Sequence, residues 1–147
     1  MTPIELPDIN VLIALADPAH TRHADAEAWF AGKTNSMWAT CPFTENGLVR
    51  IISNPAYAAL TYSVADSIAA LRSLIQRQQQ THRFWPEDIS ICDTELFRSD
   101  SIRGPSQITD IYLLGLCQRH AGTLVTLDAK ITNAAILSPR ADLIRQL

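Results

Sequence analysis

Along this chain short apolar runs alternate with longer stretches in which apolar residues recur every three or four positions. Residues 4–8, 37–41 and 123–128 (TLVTLD) are brief and apolar enough to be buried strands. Pro7 cannot donate to a strand ladder and should mark the end of the first. Elsewhere the helical period takes over. Residues 11–16 read as a short buried helix broken by Asp17-Pro18, and residues 20–31 as a second, with Ala24, Ala28 and Trp29 at helical spacing before Gly32. Pro42 suits the first position of a helix that carries Leu48, Val49, Ile51 and Ile52 to about Ser53. Residues 63–80 are amphipathic, with Ile68, Leu71, Leu74 and Ile75 inward. Residues 106–120 form a further helix, with Ile108, Ile111, Leu114 and Leu116 mostly inward and Gly122 at its stop. The stretch between is less regular: HRFWPEDISI is expected to hold a short strand and CDTELFRSD a short helix. The C-terminal ADLIRQL is expected to supply an edge strand.

This alternation predicts an α/β fold, a mostly parallel sheet with helices on both faces, as one domain over residues 1–147. Ligands in such folds bind beyond the carboxyl ends of the strands, and that rule singles out four acids. In LPDINVLIAL, Asp8 stands alone in an apolar run, at the end of the first strand. Glu45 falls in the first turn of the helix after the second strand, and Asp110 near the start of its helix. Asp128 ends the TLVTLD strand. From Asp110 to His120 a helix rises about 15 Å, and the strand from Thr123 to Asp128 returns about the same distance. The last two acids therefore come back to one level, and all four are expected on one edge of the sheet.

Composition narrows the chemistry. Apolar residues make up 47% and charged residues 18%, a globular balance. The N-terminal MTPIELPD lacks the basic stretch and apolar block of a signal peptide, and no run approaches a bilayer span, so a soluble, cytoplasmic protein without a membrane is expected. Three cysteines, Cys41, Cys92 and Cys117, have no metal or redox spacing and read as buried thiols. His20, His23, His82 and His120 read as solvated. The net charge of −3 argues against a nucleic-acid partner at first sight. Yet if four of the 15 acids bind metal, 11 remain against 12 Lys and Arg, which leaves that question open.

The five glycines form neither G-x-G-x-x-G nor a phosphate-cradling loop, and no G-x-S-x-G elbow is present. A receiver domain that takes phosphate on Asp needs an acid pair after the first strand, where position 9 is Ile. Any one of the four acids could be a helix cap or a surface charge. Four together repel one another unless a cation intervenes. Hard carboxylate oxygens suit Mg²⁺ or Mn²⁺, and ions held this way activate water against a phosphodiester.

LPDINVLIAL, ATCPFTENGLVRIISNP, FWPED and QITDIYLLGLCQRHAGTLVTLD, in this order and spacing, resemble the PIN-domain ribonucleases, and among them the VapC toxins of bacterial toxin–antitoxin modules. The resemblance runs from Leu6 to about Asp128. It implies a PIN-like three-layer fold and an Mg²⁺- or Mn²⁺-dependent endoribonuclease, paired with a VapB-type antitoxin and forming a homodimer. Asp8, Glu45, Asp110 and Asp128 match the family's catalytic, metal-binding acids, with Asn10 supporting the first and Thr109 beside the third. The mechanism so implied has Asp8, Glu45 and Asp110 hold the metal while Asp128 orients water or a second ion, leaving 5′-phosphate and 3′-hydroxyl ends. Arg50 and Lys130 are candidate RNA contacts, Trp38 reads as core, and the Phe84-Trp85 pair is balanced between packing and base stacking. A PIN nuclease of RNA maturation and a PIN module that binds without cleaving are the alternatives; the intact quartet speaks against the latter.

Overall fold

In the computed structural model, which describes residues 2–147, the alternation resolves into β1 (Glu5–Pro7), α1 (Ile9–Ala16), α2 (His23–Ala31), β2 (Trp38–Thr40), α3 (Pro42–Ile52), α4 (Val64–Arg77), β3 (His82–Phe84), α5 (Ile108–Arg119), β4 (Thr123–Thr126) and β5 (Ile144–Gln146). The strands form one parallel sheet in the order β3-β2-β1-β4-β5. Both faces are covered. Leu6, Ala39 and Leu124 pack against Leu113, Leu114 and Leu116 of α5. Trp38 and Val125, one residue out of phase, turn to Leu12, Phe30, Leu48 and Leu71 on α1 to α4. Strands with two buried faces are apolar for most of their length, which is why the runs carried no alternation. The three layers are those of the PIN-like fold, and the C-terminal edge strand forms as expected. No helix among the described residues is long and apolar enough to cross a membrane.

Several local expectations change. Residues 92–98 are turns rather than an α-helix, with only a single 3-10 turn following at Ser99–Ser101: the Asp93 carboxylate accepts the Glu95 N–H at 2.9 Å, a local bond that competes with helix, while Phe97 is buried and bridges to Ile136. The helix expected from His20 begins at His23, because the His20 ring Nδ1 accepts the Arg22 N–H in a turn. Ile68 and Ile108 face outward, and Cys92 is exposed whereas Cys41 and Cys117 are buried.

Strand order places the site. From β1 the chain builds outward through β2 and β3, then returns to add β4 and β5 on the other side, so the order reverses at the β1–β4 seam. In open parallel sheets the crevice at such a reversal is the binding position. Pro7 lies at the same end. β1 keeps register with β4 through Pro7, but with β2 only at Glu5, so the missing N–H falls where β1 and β2 have already parted.

Candidate active site

Two buried acids on β1 and its end show what decides a carboxylate's fate. At the amino end, Glu5 Oε1 accepts from Arg145 at 2.6 Å, and Oε2 accepts from the Trp29 indole at 2.6 Å and from the buried Lys33 ammonium. Burial alone would raise this carboxyl, but the Lys33, Arg145 and Trp29 donors outweigh it and hold it below its ordinary value. At the carboxyl end, Asp8 is as buried and no cation among the described residues meets it. Burial first, with Asp110 and Asp128 adding like charge, pushes its pKa up to about 6 against the bonds it accepts from Ile9 and Thr126.

Those bonds fix the Asp8 rotamer. Asp8 is the N-cap of α1, with Oδ1 accepting the Ile9 N–H at 2.7 Å, and Oδ2 accepts the Thr126 hydroxyl at 3.2 Å. The same Thr126 oxygen accepts from Asn10 Nδ2 at 3.3 Å and from the Asp128 N–H at 3.1 Å. One hydroxyl thus spends its single donor and both acceptor positions on three residues of the seam. Asn10 closes the clamp by accepting the Leu127 N–H at 3.2 Å. It supports Asp8 through Thr126.

Asp110 lies in the first turn of α5, half-buried, its carboxyl raised by burial and then by Asp128. Asp128 Oδ1 accepts the Lys130 N–H at 2.8 Å in a local turn. Asp110, Asp128, Lys130 and Arg103 line one open cavity of about 550 Å³. Glu45 does not line this cavity. In the first turn of α3 it is held by Thr40, whose hydroxyl donates to Oε2 at 2.6 Å. Among the described residues no three His, Cys, Asp or Glu side chains are close enough to share one ion.

The other candidates divide. Thr109 is exposed beside Asp110. Lys130 is exposed on the wall of the cavity that Asp110 and Asp128 line, but Arg50 lines a different groove, of about 670 Å³, between α3 and α4. Trp38 and Trp85 are core, Trp85 stacking on His120 at 4.4 Å, while Phe84 is 55% exposed. His82 is half-buried rather than solvated: its Nε2 lies 2.8 Å from the Thr40 hydroxyl and its ring packs on Trp38 at 4.7 Å.

Ribonuclease VapC44 of Mycobacterium tuberculosis is 41% identical to the chain over 131 residues, 88% of this chain and 89% of its own length. The chain belongs to the VapC family. Ribonucleases VapC39 and VapC38 of the same organism agree at 38% identity over 128 and 133 residues. No family model matches. Agreement over close to nine-tenths of both chains makes the VapC relationship one of nearly the whole chain rather than of one motif.

In this VapC-family chain, the residue that sequence patterns leave out is Thr126. Its only signal is a hydroxyl two positions before Asp128 in an otherwise buried apolar strand, on the same face by strand alternation. Thr126→Val keeps shape and removes the hub, leaving the Asn10 amide and the Asp128 N–H without their acceptor. We expect a loss of about 1–3 kcal/mol in chemical denaturation, with Thr126→Ser close to the parent. Equal stability of the valine and serine variants would mean the hydroxyl holds nothing.

Proposed function

We propose that this chain is a metal-dependent endoribonuclease acting as the toxin of a VapBC-type toxin–antitoxin pair. The observation that carries the reading is the gathering of Asp8, Asp110 and Asp128 at the seam where strand order reverses, with their charges uncompensated. The names of the relatives support the ribonuclease half of it. A divalent cation suits the donor set, which is hard oxygen throughout and carries more negative charge than its surroundings offset. Mg²⁺ keeps several waters and takes only one or two carboxylates directly, so an open arrangement of acids is compatible with it.

In this reading Asp8, Asp110 and Asp128 surround the ion, one or two of them directly and the rest through its waters, and Glu45 is the fourth acid, on the β2 side. The bound cation supplies charge neutralisation at the phosphodiester and acidification of an attacking water. The chain's own groups do the rest. The Ile9 N–H and Thr126 hydroxyl keep Asp8 in one rotamer, so no side-chain entropy is lost when substrate arrives. Lys130 and Arg103, on the wall of the same cavity, meet phosphates flanking the scissile bond. Water attacking phosphorus in line expels the 3′ oxygen, leaving 5′-phosphate and 3′-hydroxyl ends. A VapB-type antitoxin and a second copy of the chain are its proposed partners, and the cytoplasm its proposed location.

The test is cleavage of RNA by purified protein. We expect activity with Mn²⁺ or Mg²⁺ that EDTA removes, and fragments whose 5′ ends are phosphorylated. Cleavage that persists in EDTA, or fragments ending in 3′-phosphate, would reject metal-assisted hydrolysis.

A further inference from the structure

Glu45 is held by more than its own helix. Thr40 is fully buried at the end of β2, and its hydroxyl oxygen has two polar neighbours: Glu45 Oε2 at 2.6 Å and His82 Nε2 at 2.8 Å. A carboxylate accepts and cannot donate, and a hydroxyl has one proton. The Thr40 proton therefore goes to Glu45, and His82 must supply the N–H to Thr40, which fixes the imidazole as the Nε2–H form. The direction runs His82 to Thr40 to Glu45.

Sheet register builds this chain. Trp38 pairs with His82 and Thr40 with Phe84, so His82 and Thr40 sit diagonally on one face of adjacent strands. The imidazole is seated on Trp38, whose own N–H donates to the Gln78 carbonyl at 3.2 Å. Burial, with the neighbouring Arg83 charge, holds His82 below the ordinary imidazole value, so at neutral pH the ring is an uncharged donor.

We propose that Thr40 and His82 are positioning residues that orient Glu45 toward the scissile phosphodiester, through a hydrogen-bonded chain separate from the Thr126 hub that orients Asp8. This rests on the assignment of Glu45 to the ribonuclease site. Glu45 and Asp8 thus each have a buried threonine of their own, Thr40 on β2 and Thr126 on β4. Neither Thr40 nor His82 touches substrate in this scheme; both act through Glu45.

Thr40→Val and His82→Leu are expected to lower kcat for RNA cleavage by about 10- to 100-fold, the loss usual for partners that orient ligand side chains, with KM little changed. Thr40→Ser and His82→Gln, which keep the hydroxyl and an Nε2 donor, should recover most of it. On the Thr40→Val background His82→Leu should cost nothing more, since the chain is already cut. A separate readout needs no activity: in ¹H–¹⁵N spectra the His82 ring nitrogen signals should shift in Glu45→Gln, and that response should vanish when Thr40→Val is also present. If Thr40→Val does not fold, the two His82 variants on the edge strand carry the kinetic test, and the response of the His82 ring signals to Glu45→Gln carries the spectroscopic one. Unchanged kcat in folded Thr40→Val or His82→Leu, additive losses in the double variant, or His82 signals indifferent to Glu45→Gln would each overturn the positioning chain. A parent that cleaves no RNA while His82 still reports on Glu45 would overturn the ribonuclease reading and leave the hydrogen-bonded chain standing.

Discussion

Asp110→Asn should leave RNA essentially uncut, with kcat/KM reduced more than about a hundredfold. Even a partner that merely orients a metal ligand commonly costs 10- to 100-fold, and Asp110 faces the cavity directly. The substitution is close to isosteric. It sits in the first turn of α5, where a negative charge contributes only about 0.3–1 kcal/mol through the helix dipole. Loss of activity would therefore not come from unfolding, and circular dichroism should show the parent's spectrum. In cells lacking antitoxin, the parent should arrest growth and Asp110→Asn should not. Arrest by both proteins to the same degree would place toxicity elsewhere than this cavity.

The second large effect is on stability, and its sign is unusual: with metal removed, Asp8→Asn should melt higher than the parent at neutral pH. The Asp8 carboxyl titrates near 6 in the folded chain against an ordinary 3.8. Between those values the folded state holds a proton that the unfolded state has lost, so stability falls as pH rises through that window and stays reduced above it. A shift of this size corresponds to about 3 kcal/mol. Asparagine caps helices as well as aspartate, so the Ile9 bond survives. Its NH₂ faces Thr126, however, whose hydroxyl must then give up its donation, which takes back about 1 kcal/mol.

The remainder, about 2 kcal/mol, raises Tm in EDTA by roughly 4–8 °C at pH 7 to 8, and the advantage should vanish below about pH 4. Mn²⁺ reverses the ranking. A ligand that binds only the folded state adds about 2.7 kcal/mol at one hundred times its Kd, and the variant has lost a ligand. Parent and variant whose melting curves keep their order with and without Mn²⁺, at every pH, would return Asp8 to the role of a helix cap alone.

What could be read in advance, and what could not, divides along physical lines. The periodicity of LPDINVLIAL gave a strand end, a cap and a buried helix because all three are local. Asp110 and Asp128 could be placed at one level because helix and strand rises are fixed. Thr126 could not be found that way, since its partners Asp8 and Asn10 lie more than a hundred positions away and depend on which strand β1 chooses as neighbour. His82 fails for the same reason, its partner being 42 residues distant on β2. Arg50 misled because helical phase, not proximity to Glu45, decides direction: five residues along α3 carry it to the groove beside α4. Residues 92–100 misled because an Asx turn and one buried phenylalanine outweigh a helical composition.

The β1–β4 seam also sets an order of events in synthesis. Asp8 and the Thr126 hydroxyl that holds it are separated by 118 residues, and parallel strands cannot pair until everything between them has been made. At a translation rate of about 5–20 residues per second, a ribosome takes roughly 6 to 24 s to pass from one to the other. Throughout that interval the nascent chain carries its first acid without the strand that positions it. On the proposed reading, cleavage can begin only after Thr126 has been made, which leaves each new molecule an inactive period while attached to the RNA machinery around it.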